Sequence, residues 1–473
     1  MKIKKEMSIL VLVLVFGVVQ LTAGNPSPDI RVKSYELDVT FMPAKHAMKG
    51  KAVIRFIPDT VKKQKLVFYL HGELSVESLE IEEKKIPFSS NLVFYPGDYS
   101  GVAQKVEAPM EKIDLSKELT VVYSGYFHAS KARALSNYMR IDQDGVLLRA
   151  FGYSLWFPMF LESHQDWYSV SFPKVTIRTP ADFISVFVGT WVQTYLEGDT
   201  RISQWRADNV ELIYAQCTAQ RYTVLKKDGY HVYSYSDSHS QEIAGKVLSY
   251  AEKLESLYKK YYKKSASASQ LHVMQMPEYG DISSGNVVGM CEESWRKFKE
   301  NSYEGWTLAH ELVHSFVWVP TPRTDPLFAL VIEGFPSYFD LPVMAEIVGD
   351  EYPNKILKWK EDNYIKKRKT GKDRRGRSLP PEKPLLEISD NEIGEYKDNF
   401  ILSDRALFFF HYLRIKMGKD RFWEFTRELF KQKTLNYDIL EQVILKYLPG
   451  VREDIRIWLK TTEYPARFHL KKQ

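Results

Sequence analysis

Short runs of alternating apolar and polar residues fill the first half of the chain. Residues 35–41 are one such run, with an aromatic or aliphatic side chain at every odd position. Successive side chains of a strand point to opposite faces, so this alternation buries one face in a core. The pattern predicts a β-sheet domain over residues 25–228, and its aromatic residues around 151–157 are expected to pack between sheets.

The hydrophobic period changes near residue 230. Apolar side chains then recur three or four positions apart: Ile243, Val247, Tyr250, Ala251, Leu254, Leu257, Tyr258 and Tyr261. This spacing is typical of a helix with one buried face. A short strand is predicted at Leu271–Met276, and three further helical repeats at 406–417, 422–430 and 439–448. Residues 229–473 therefore form a second predicted domain, mainly helical with a few strands.

The N-terminus resembles a secretory signal. Three lysines at positions 2, 4 and 5 precede an apolar run over 9–21, and small residues follow at 22–24. Thirteen residues are short for a bilayer span, so cleavage is expected and an uncleaved anchor is the alternative. With residues 1–24 removed, no span across the membrane is expected. We predict export to the periplasm or the extracellular space.

Composition and charge narrow the classes of function. Hydrophobic residues make up 44% of the 473 positions, which is enough for two or three packed domains. The net charge of +6 is too small to indicate a nucleic-acid partner. Basic residues concentrate over 366–377, where Gly371 and Gly376 predict a loop. A solvated loop is the default interpretation, and contact with an anionic surface or an acidic partner is the alternative.

Only two cysteines are present, Cys217 and Cys291. An oxidising compartment permits one disulfide between them. They fall in different predicted domains, so two separate buried thiols are the alternative. The sequence leaves both open.

The most specific pattern lies in the second domain. His310 and His314 are four residues apart, Glu311 follows the first of them, and Glu333 comes after eighteen intervening residues. Positions four apart share one face of a helix, so both imidazoles can bind a single metal ion. A helix is expected here because an apolar stripe would bury one side of the segment: Trp306, Leu308, Leu312, Val313 and Phe316. A second helical stretch over 331–339 would bring in Glu333.

Two neutral imidazoles and one carboxylate indicate a catalytic zinc site. They leave a tetrahedral Zn²⁺ with one position for water, whereas a structural site uses four protein ligands. Glu311 is placed to accept the proton of that water and to transfer it to a departing amine. The predicted reaction is hydrolysis of a peptide or amide bond, with His310, His314 and Glu333 as metal ligands.

These residues resemble the zinc aminopeptidases of the membrane alanyl aminopeptidase type, within the gluzincins. Residues 156–162 and 333–339 are similar to two further motifs of that family, and 34–41 and 50–56 to its first strands. The resemblance implies an α+β multidomain fold, with a saddle-like β-rich domain before a thermolysin-like α/β catalytic domain. The chain stops before the large C-terminal helical domain of such enzymes, so a more open cleft is expected.

Two departures from the family motifs concern substrate binding. In the family, a sheet edge that pairs with the substrate backbone carries a glutamate for the free α-amine. The best match here is the segment 280–289, with Ser283 at the glutamate position. A hydroxyl does not pair with an ammonium group as a carboxylate does. Asp281 or Glu278 takes that role if the register shifts by two or more residues.

The second departure concerns the tyrosine that stabilises the oxyanion in the family. Ser403 matches its position, before the apolar repeat 406–417. Tyr396, seven residues earlier, reaches the site if the intervening loop is rearranged, and an ordinary loop tyrosine is the alternative. Loss of one oxyanion donor typically reduces the rate by roughly 100 to 1000-fold. Ile332 also replaces the asparagine that precedes the third ligand in the family.

Two functions remain. The first is an exported zinc metallopeptidase that acts on peptide substrates, with Glu311 as general base and without strict aminopeptidase specificity. The second is a zinc-binding, weakly active or inactive peptide-binding scaffold. The retained Glu311 favours the enzyme, and the two departures favour the scaffold.

Overall fold

The computed structural model describes residues 30–57, 64–94, 102–127, 139–148, 155–160, 169–211, 215–262, 270–277, 281–317, 319, 321, 325–372, 376–389, 392, 396 and 401–463. The predicted signal segment 1–24 and Glu278 lie outside these residues.

The first half of the chain is β-sheet, as the alternating pattern predicts. Its strands are β1 (Val32–Met42), β2 (Ala47–Phe56), β3 (Lys65–His71), β4 (Leu74–Ile81), β5 (Lys84–Lys85), β6 (Ser89–Phe94), β7 (Val102–Pro109), β8 (Leu119–Tyr126), β9 (Met139–Asp142), β10 (Gly145–Leu148), β11 (Ser169–Pro180), β12 (Ile184–Phe187), β13 (Thr190–Glu197), β14 (Thr200–Glu211) and β15 (Cys217–Gln220). Short 3₁₀ turns occupy Pro43–Lys45 and Met110–Lys112. These strands form an eight-stranded sheet (β13-β14-β11-β1-β2-β8-β4-β5), a four-stranded sheet (β12-β15-β10-β9) and a three-stranded sheet (β3-β7-β6).

Aromatic side chains fill the space between these sheets. Tyr35 on β1 meets Phe157 edge-on at 5.2 Å and stacks on Phe172 of β11 at 5.7 Å. The indole of Trp156 is fully buried and donates from Nε1 to the carbonyl oxygen of Ala215 at 3.0 Å. For the described residues 155–160, the expectation of aromatic core packing is therefore confirmed.

The second half contains one five-stranded sheet and most of the helices. The strands are β16 (Tyr222–Lys227), β17 (Tyr230–Tyr235), β18 (Leu271–Met276), β19 (Ile282–Ser284) and β20 (Val287–Cys291), in the order β16-β17-β18-β20-β19. The helices are α1 (Ser238–Tyr262), α2 (Glu292–Arg296), α3 (Tyr303–Val317), α4 (Pro336–Phe339), α5 (Leu341–Val348), α6 (Glu351–Thr370), α7 (Ile401–Met417), α8 (Lys419–Leu429), α9 (Tyr437–Tyr447) and α10 (Arg452–Lys460), with a π-helical turn at Leu330–Gly334 and a 3₁₀ turn at Leu385–Glu387.

The second sheet begins before the change of period at residue 229. Asp228 and Gly229 both have positive φ and form the tight turn of a hairpin between β16 and β17. Asp-Gly suits such turns because both central residues adopt left-handed backbone conformations. The alternation of apolar and polar residues predicts a strand but not the sheet to which it belongs. The sequence pattern therefore assigned β16 to the first predicted domain.

The segment 366–377 is only partly a loop, and the prediction was wrong for its first residues. Helix α6 continues to Thr370, and Gly371 ends it with a left-handed φ of 62°. Lys367 is buried and Arg368 pairs with Glu382, so these basic residues are not all solvated. A glycine in the left-handed conformation commonly ends a helix. Gly371 therefore marks the end of α6 and not the middle of a loop.

Helix α3 lies at the centre of the second half. One side of it is buried: Gly305, Trp306, Leu308, Ala309, Leu312, Val313, Phe316 and Val317. The helix packs against α1, α4 and β19. The apolar stripe predicted around the His-Glu motif is therefore present. Among the described residues, no helix is long and apolar enough to span a membrane.

Candidate metal centre

The structure brings the three predicted ligands together. One nitrogen of His310, one nitrogen of His314 and one carboxylate oxygen of Glu333 lie within 4.8 Å of one another. The two imidazole rings, one helical turn apart on α3, are 5.2 Å between centroids and nearly perpendicular. We call His310, His314 and Glu333 the ligand cluster. Its members converge as the ligands of a single ion must.

Glu333 reaches the ligand cluster from the π-helical turn Leu330–Gly334. The amide of Phe335 donates to the carbonyl oxygen of Leu330 at 2.9 Å, a hydrogen bond that spans five residues. π-Helical turns are rare in proteins, and a large share of those that do occur lie at functional sites. A helical stretch was predicted here, but the wider turn that positions the carboxylate was not.

Close packing against α7 accompanies the wide turn. A Cβ atom on Gly334 would lie 2.6 Å from Cβ of Ala406 and 2.7 Å from Cδ1 of Leu330. Glycine is therefore required where this backbone meets α7. On the other side, the hydroxyl of Ser337 donates to the carbonyl oxygen of Glu333 at 2.6 Å.

Asp340 is a site residue that the sequence analysis missed. Its carboxylate is fully buried, and Oδ2 lies 3.4 Å from Nδ1 of His310. A carboxylate at Nδ1 leaves Nε2 as the metal-binding nitrogen and fixes the orientation of the ring. The signal available in the sequence was a single acid inside the apolar run 335–344, since buried acids rarely occur without a partner.

The charges around His310 favour a cation. Burial works to lower the pKa of His310, but the hydrogen bond to Asp340 and the charges of Glu311, Asp340 and Glu333 outweigh it and raise that pKa. A partly buried group of carboxylates and imidazoles of this kind has the donor chemistry of a divalent transition-metal site. The residues present therefore fit Zn²⁺.

An edge strand lies beside the ligand cluster. Strand β19 is at the edge of the five-stranded sheet and packs against α3. The hydroxyl of Ser315, next to His314, donates to the carbonyl oxygen of Gly285 at 2.5 Å and so ties the β19–β20 turn to α3. This arrangement matches the sheet edge expected from the resemblance, and an extended peptide can add to such an edge.

Solved structures of known proteins share this fold. The M1 zinc metallopeptidase from Deinococcus radiodurans matches with a TM-score of 0.64 at 15% identity, over 92% of this chain and 95% of that one. Native leukotriene A4 hydrolase from Saccharomyces cerevisiae matches with a TM-score of 0.66 at 15% identity, over 95% of this chain and 72% of that one. No protein-family model and no curated protein matches the sequence.

The chain has the fold of these zinc metallopeptidases. The predicted fold class, a β-rich domain followed by a thermolysin-like α/β domain, is confirmed. A two-domain M1 zinc metallopeptidase is among the matches, again over 95% of its length. At this level of identity the likeness concerns the fold alone.

The residues considered for amine binding are placed differently from one another. Ser283 is half-buried on β19 and pairs with Val288 of β20. Asp281 accepts hydrogen bonds from the amide of Cys291 at 2.8 Å and from the hydroxyl of Ser294 at 2.9 Å. Its carboxylate thus ties the start of α2 to the segment before β19, a structural role.

Ser403 and its neighbours form a buried, ion-paired turn at the start of α7. Ser403 itself is 8% exposed. The adjacent Asp404 accepts a hydrogen bond from Nζ of Lys360 at 2.9 Å, and Lys367 lies 3.5 Å from its other oxygen. The next residue, Arg405, donates to carbonyl oxygens in and just beyond the last turn of α10: Ile457, Trp458, Thr461 and Glu463. The side chains of this turn serve packing between helices.

The hydroxyl of Tyr396 has a partner in its own loop. It donates to the carbonyl oxygen of Pro381 at 2.9 Å, and the side chain is 2% exposed. Such a bond between two parts of a connecting segment stabilises that segment. It gives Tyr396 a structural role in this conformation.

Both cysteines are free and buried. Burial raises the pKa of the Cys217 thiol, which reduces its reactivity. The thiol of Cys291 lies 3.4 Å from the hydroxyl of Ser294. Of the two alternatives, separate buried thiols are therefore observed.

Proposed function

We propose that this protein is a zinc metallopeptidase that hydrolyses peptide or amide bonds. The observation that carries the proposal is the convergence of His310, His314 and Glu333 within 4.8 Å, with Glu311 on the same helix. The fold shared with the M1 zinc metallopeptidases supports it.

Each residue has a definite task in this reaction. His310, His314 and Glu333 would hold the metal. Bound Zn²⁺ supplies a Lewis acid that polarises the scissile carbonyl and lowers the pKa of water. Glu311 takes the proton of the attacking water and delivers it to the leaving amine. The backbone of β19 binds the extended peptide and orients it across the ligand cluster.

We further propose that cleavage does not require a free N-terminus. A variant of the Deinococcus radiodurans enzyme has been solved with a Tyr-Ser-Ala substrate. In the present chain, Ser283 has no carboxylate for an α-amine, and Asp281 is engaged at α2. Longer or N-terminally blocked peptides are therefore the proposed substrates.

The catalytic proposal is tested by Glu311→Gln in the zinc-loaded protein. Hydrolysis of blocked, internally quenched peptides should fall by about 100 to 10,000-fold because the variant lacks the general base. Metal analysis should find zinc in both proteins. Glu293→Gln, at an exposed glutamate of α2, is the matched control and should keep the wild-type rate. Equal rates of peptide hydrolysis for wild type and Glu311→Gln, with zinc bound to both, would refute the proposed catalytic role of Glu311.

A peptide-binding scaffold with weak or no activity is the second candidate. The observation that favours it is the buried ion-paired turn around Ser403, where the family carries its oxyanion tyrosine. A scaffold would bind the same peptides with equal affinity in wild type and Glu311→Gln, and neither protein would cleave them.

Export remains a proposal carried by the sequence of residues 1–24 alone. If the segment is a cleaved signal, the N-terminal sequence of protein recovered outside the cytoplasm should begin near residue 25. Recovery of a chain that retains residues 1–24 and stays with the membrane would instead indicate an anchor.

A further inference from the structure

We propose that Trp306 is a positioning residue of the metal centre: its indole N–H holds Asp340 against His310 and thereby sets the affinity for the metal. The inference rests on the proposed function only in taking a metal ion as the occupant of the ligand cluster. It concerns binding of that ion and not the hydrolytic step.

Asp340 lies between the indole of Trp306 and the imidazole of His310. Nε1 of Trp306 donates to Oδ2 of Asp340 at 2.6 Å. The same Oδ2 lies 3.4 Å from Nδ1 of His310. Trp306 precedes His310 by one helical turn, and their ring centroids are 6.1 Å apart. One carboxylate oxygen is thus shared between the indole and the imidazole.

The orientation of the Asp340 carboxylate depends on its hydrogen bond from Trp306. Its side chain is fully buried, and Oδ1 has no hydrogen-bond partner in the part of the chain that the structure describes. A buried carboxylate with so few donors is costly, and a donor at 2.6 Å is then a large part of what fixes its direction. Without the indole N–H, the Asp340 carboxylate would lose the hydrogen bond that directs Oδ2 toward His310.

The indole itself is held on two sides. Tyr303 meets it edge-on at 5.2 Å, and Nζ of Lys360 lies over the ring at 5.3 Å. Lys360 is anchored in turn by its hydrogen bond to Asp404. The ring is therefore clamped between α3 and α6, and its N–H points in one direction.

A fixed carboxylate at Nδ1 keeps the proton on that nitrogen and the lone pair of Nε2 directed at the ion. Loss of such an outer partner of a histidine ligand typically weakens metal binding by about 10 to 100-fold. Trp306 does not contact Nδ1 of His310 itself but acts on it through Asp340. We therefore expect about a tenfold weakening when its N–H is removed.

The test is the dissociation constant of Zn²⁺ for full-length Trp306→Phe, measured by titrating the metal-free protein against a chelating indicator. Phenylalanine keeps an aromatic ring but has no donor. Trp295→Phe is the matched control, since this fully buried indole donates to Ser240 at 3.3 Å, outside the ligand cluster. Trp306→Phe should raise the dissociation constant about tenfold, and Trp295→Phe should leave it unchanged.

A double-mutant cycle separates positioning from general destabilisation. In an Asp340→Asn background, Trp306→Phe should have little further effect on zinc affinity, because the residue through which it acts is altered. Wild-type affinity in Trp306→Phe, or an undiminished loss in the Asp340→Asn background, would overturn the proposal. Zinc affinity is measured without substrate, so a protein that binds zinc but cleaves nothing would refute the proposed function and leave this test intact.

Discussion

Nζ of Lys360 donates to Oδ1 of Asp404 at 2.9 Å, and both side chains are buried. This ion pair lies next to Ser403, where the family motif has its oxyanion tyrosine. The first turn of α7 therefore packs against α6 through this ion pair. The same lysine also lies over Trp306 and so connects that turn with the back of the metal centre.

Removal of the shared carboxylate should destabilise the protein strongly. In Asp404→Ala, the buried ammonium groups of Lys360 and Lys367 lose a partner that both contact. Breaking a buried pair in this way costs about 3–5 kcal/mol in free energy of unfolding, measurable by denaturant titration. Glu351→Ala, which removes the exposed pair with Lys355, is the control and should leave stability unchanged. A loss for Asp404→Ala no larger than for the control would contradict a stabilising role.

Restoring a carboxylate on β19 should shift the substrate preference. Ser283→Glu places an acid at the position that matches the family's amine anchor. A charge-assisted hydrogen bond to an ammonium group should then raise hydrolysis of unblocked substrates relative to blocked ones by about tenfold. Ser283→Gln has nearly the same shape without the charge and should not change this ratio. An unchanged ratio in Ser283→Glu would show that the side chain at position 283 does not reach the N-terminus of the substrate.

Tyr396→Phe should leave catalysis nearly intact. The structure gives its hydroxyl a bond to the carbonyl oxygen of Pro381, so the expected change in kcat is less than about threefold. An oxyanion donor would instead be revealed by a fall of about 100 to 1000-fold with little change in KM. The comparison requires zinc-loaded proteins and a blocked peptide.

The π-helical turn should be sensitive to a single methyl group. Gly334→Ala would bring a Cβ atom to 2.6 Å from Cβ of Ala406, so the turn that carries Glu333 must move. We expect weaker zinc binding, by about tenfold or more, because a displaced carboxylate loses part of its coordination. Ala406→Gly removes the opposing methyl group and should restore much of the affinity in the double variant. No rescue would mean that contact with α7 does not set the position of Glu333.

Local patterns predicted the parts of the molecule that are local. The stripe on α3 and the spacing of His310 and His314 lie within a few turns of one helix, and the structure agrees with both. The alternation in β1 likewise identified a buried face. These features follow from the geometry of single helices and strands.

Features that depend on packing between distant segments were not predictable in the same way. Asp340 meets His310 and Trp306 only because the turn after α4 folds back on α3. The π-helical turn depends on the meeting of Gly334 with Ala406, 72 positions later. The buried side of α6, including Lys367, depends on Asp404. No period in the sequence encodes such contacts.

The most direct test of the proposed metal centre is the location of zinc in crystals of the zinc-loaded protein, from anomalous diffraction at the zinc absorption edge. We expect one strong peak bound by Nε2 of His310, a nitrogen of His314 and the carboxylate of Glu333, with Oδ2 of Asp340 at Nδ1 of His310. A peak elsewhere, or zinc bound without Glu333, would contradict the proposed metal centre.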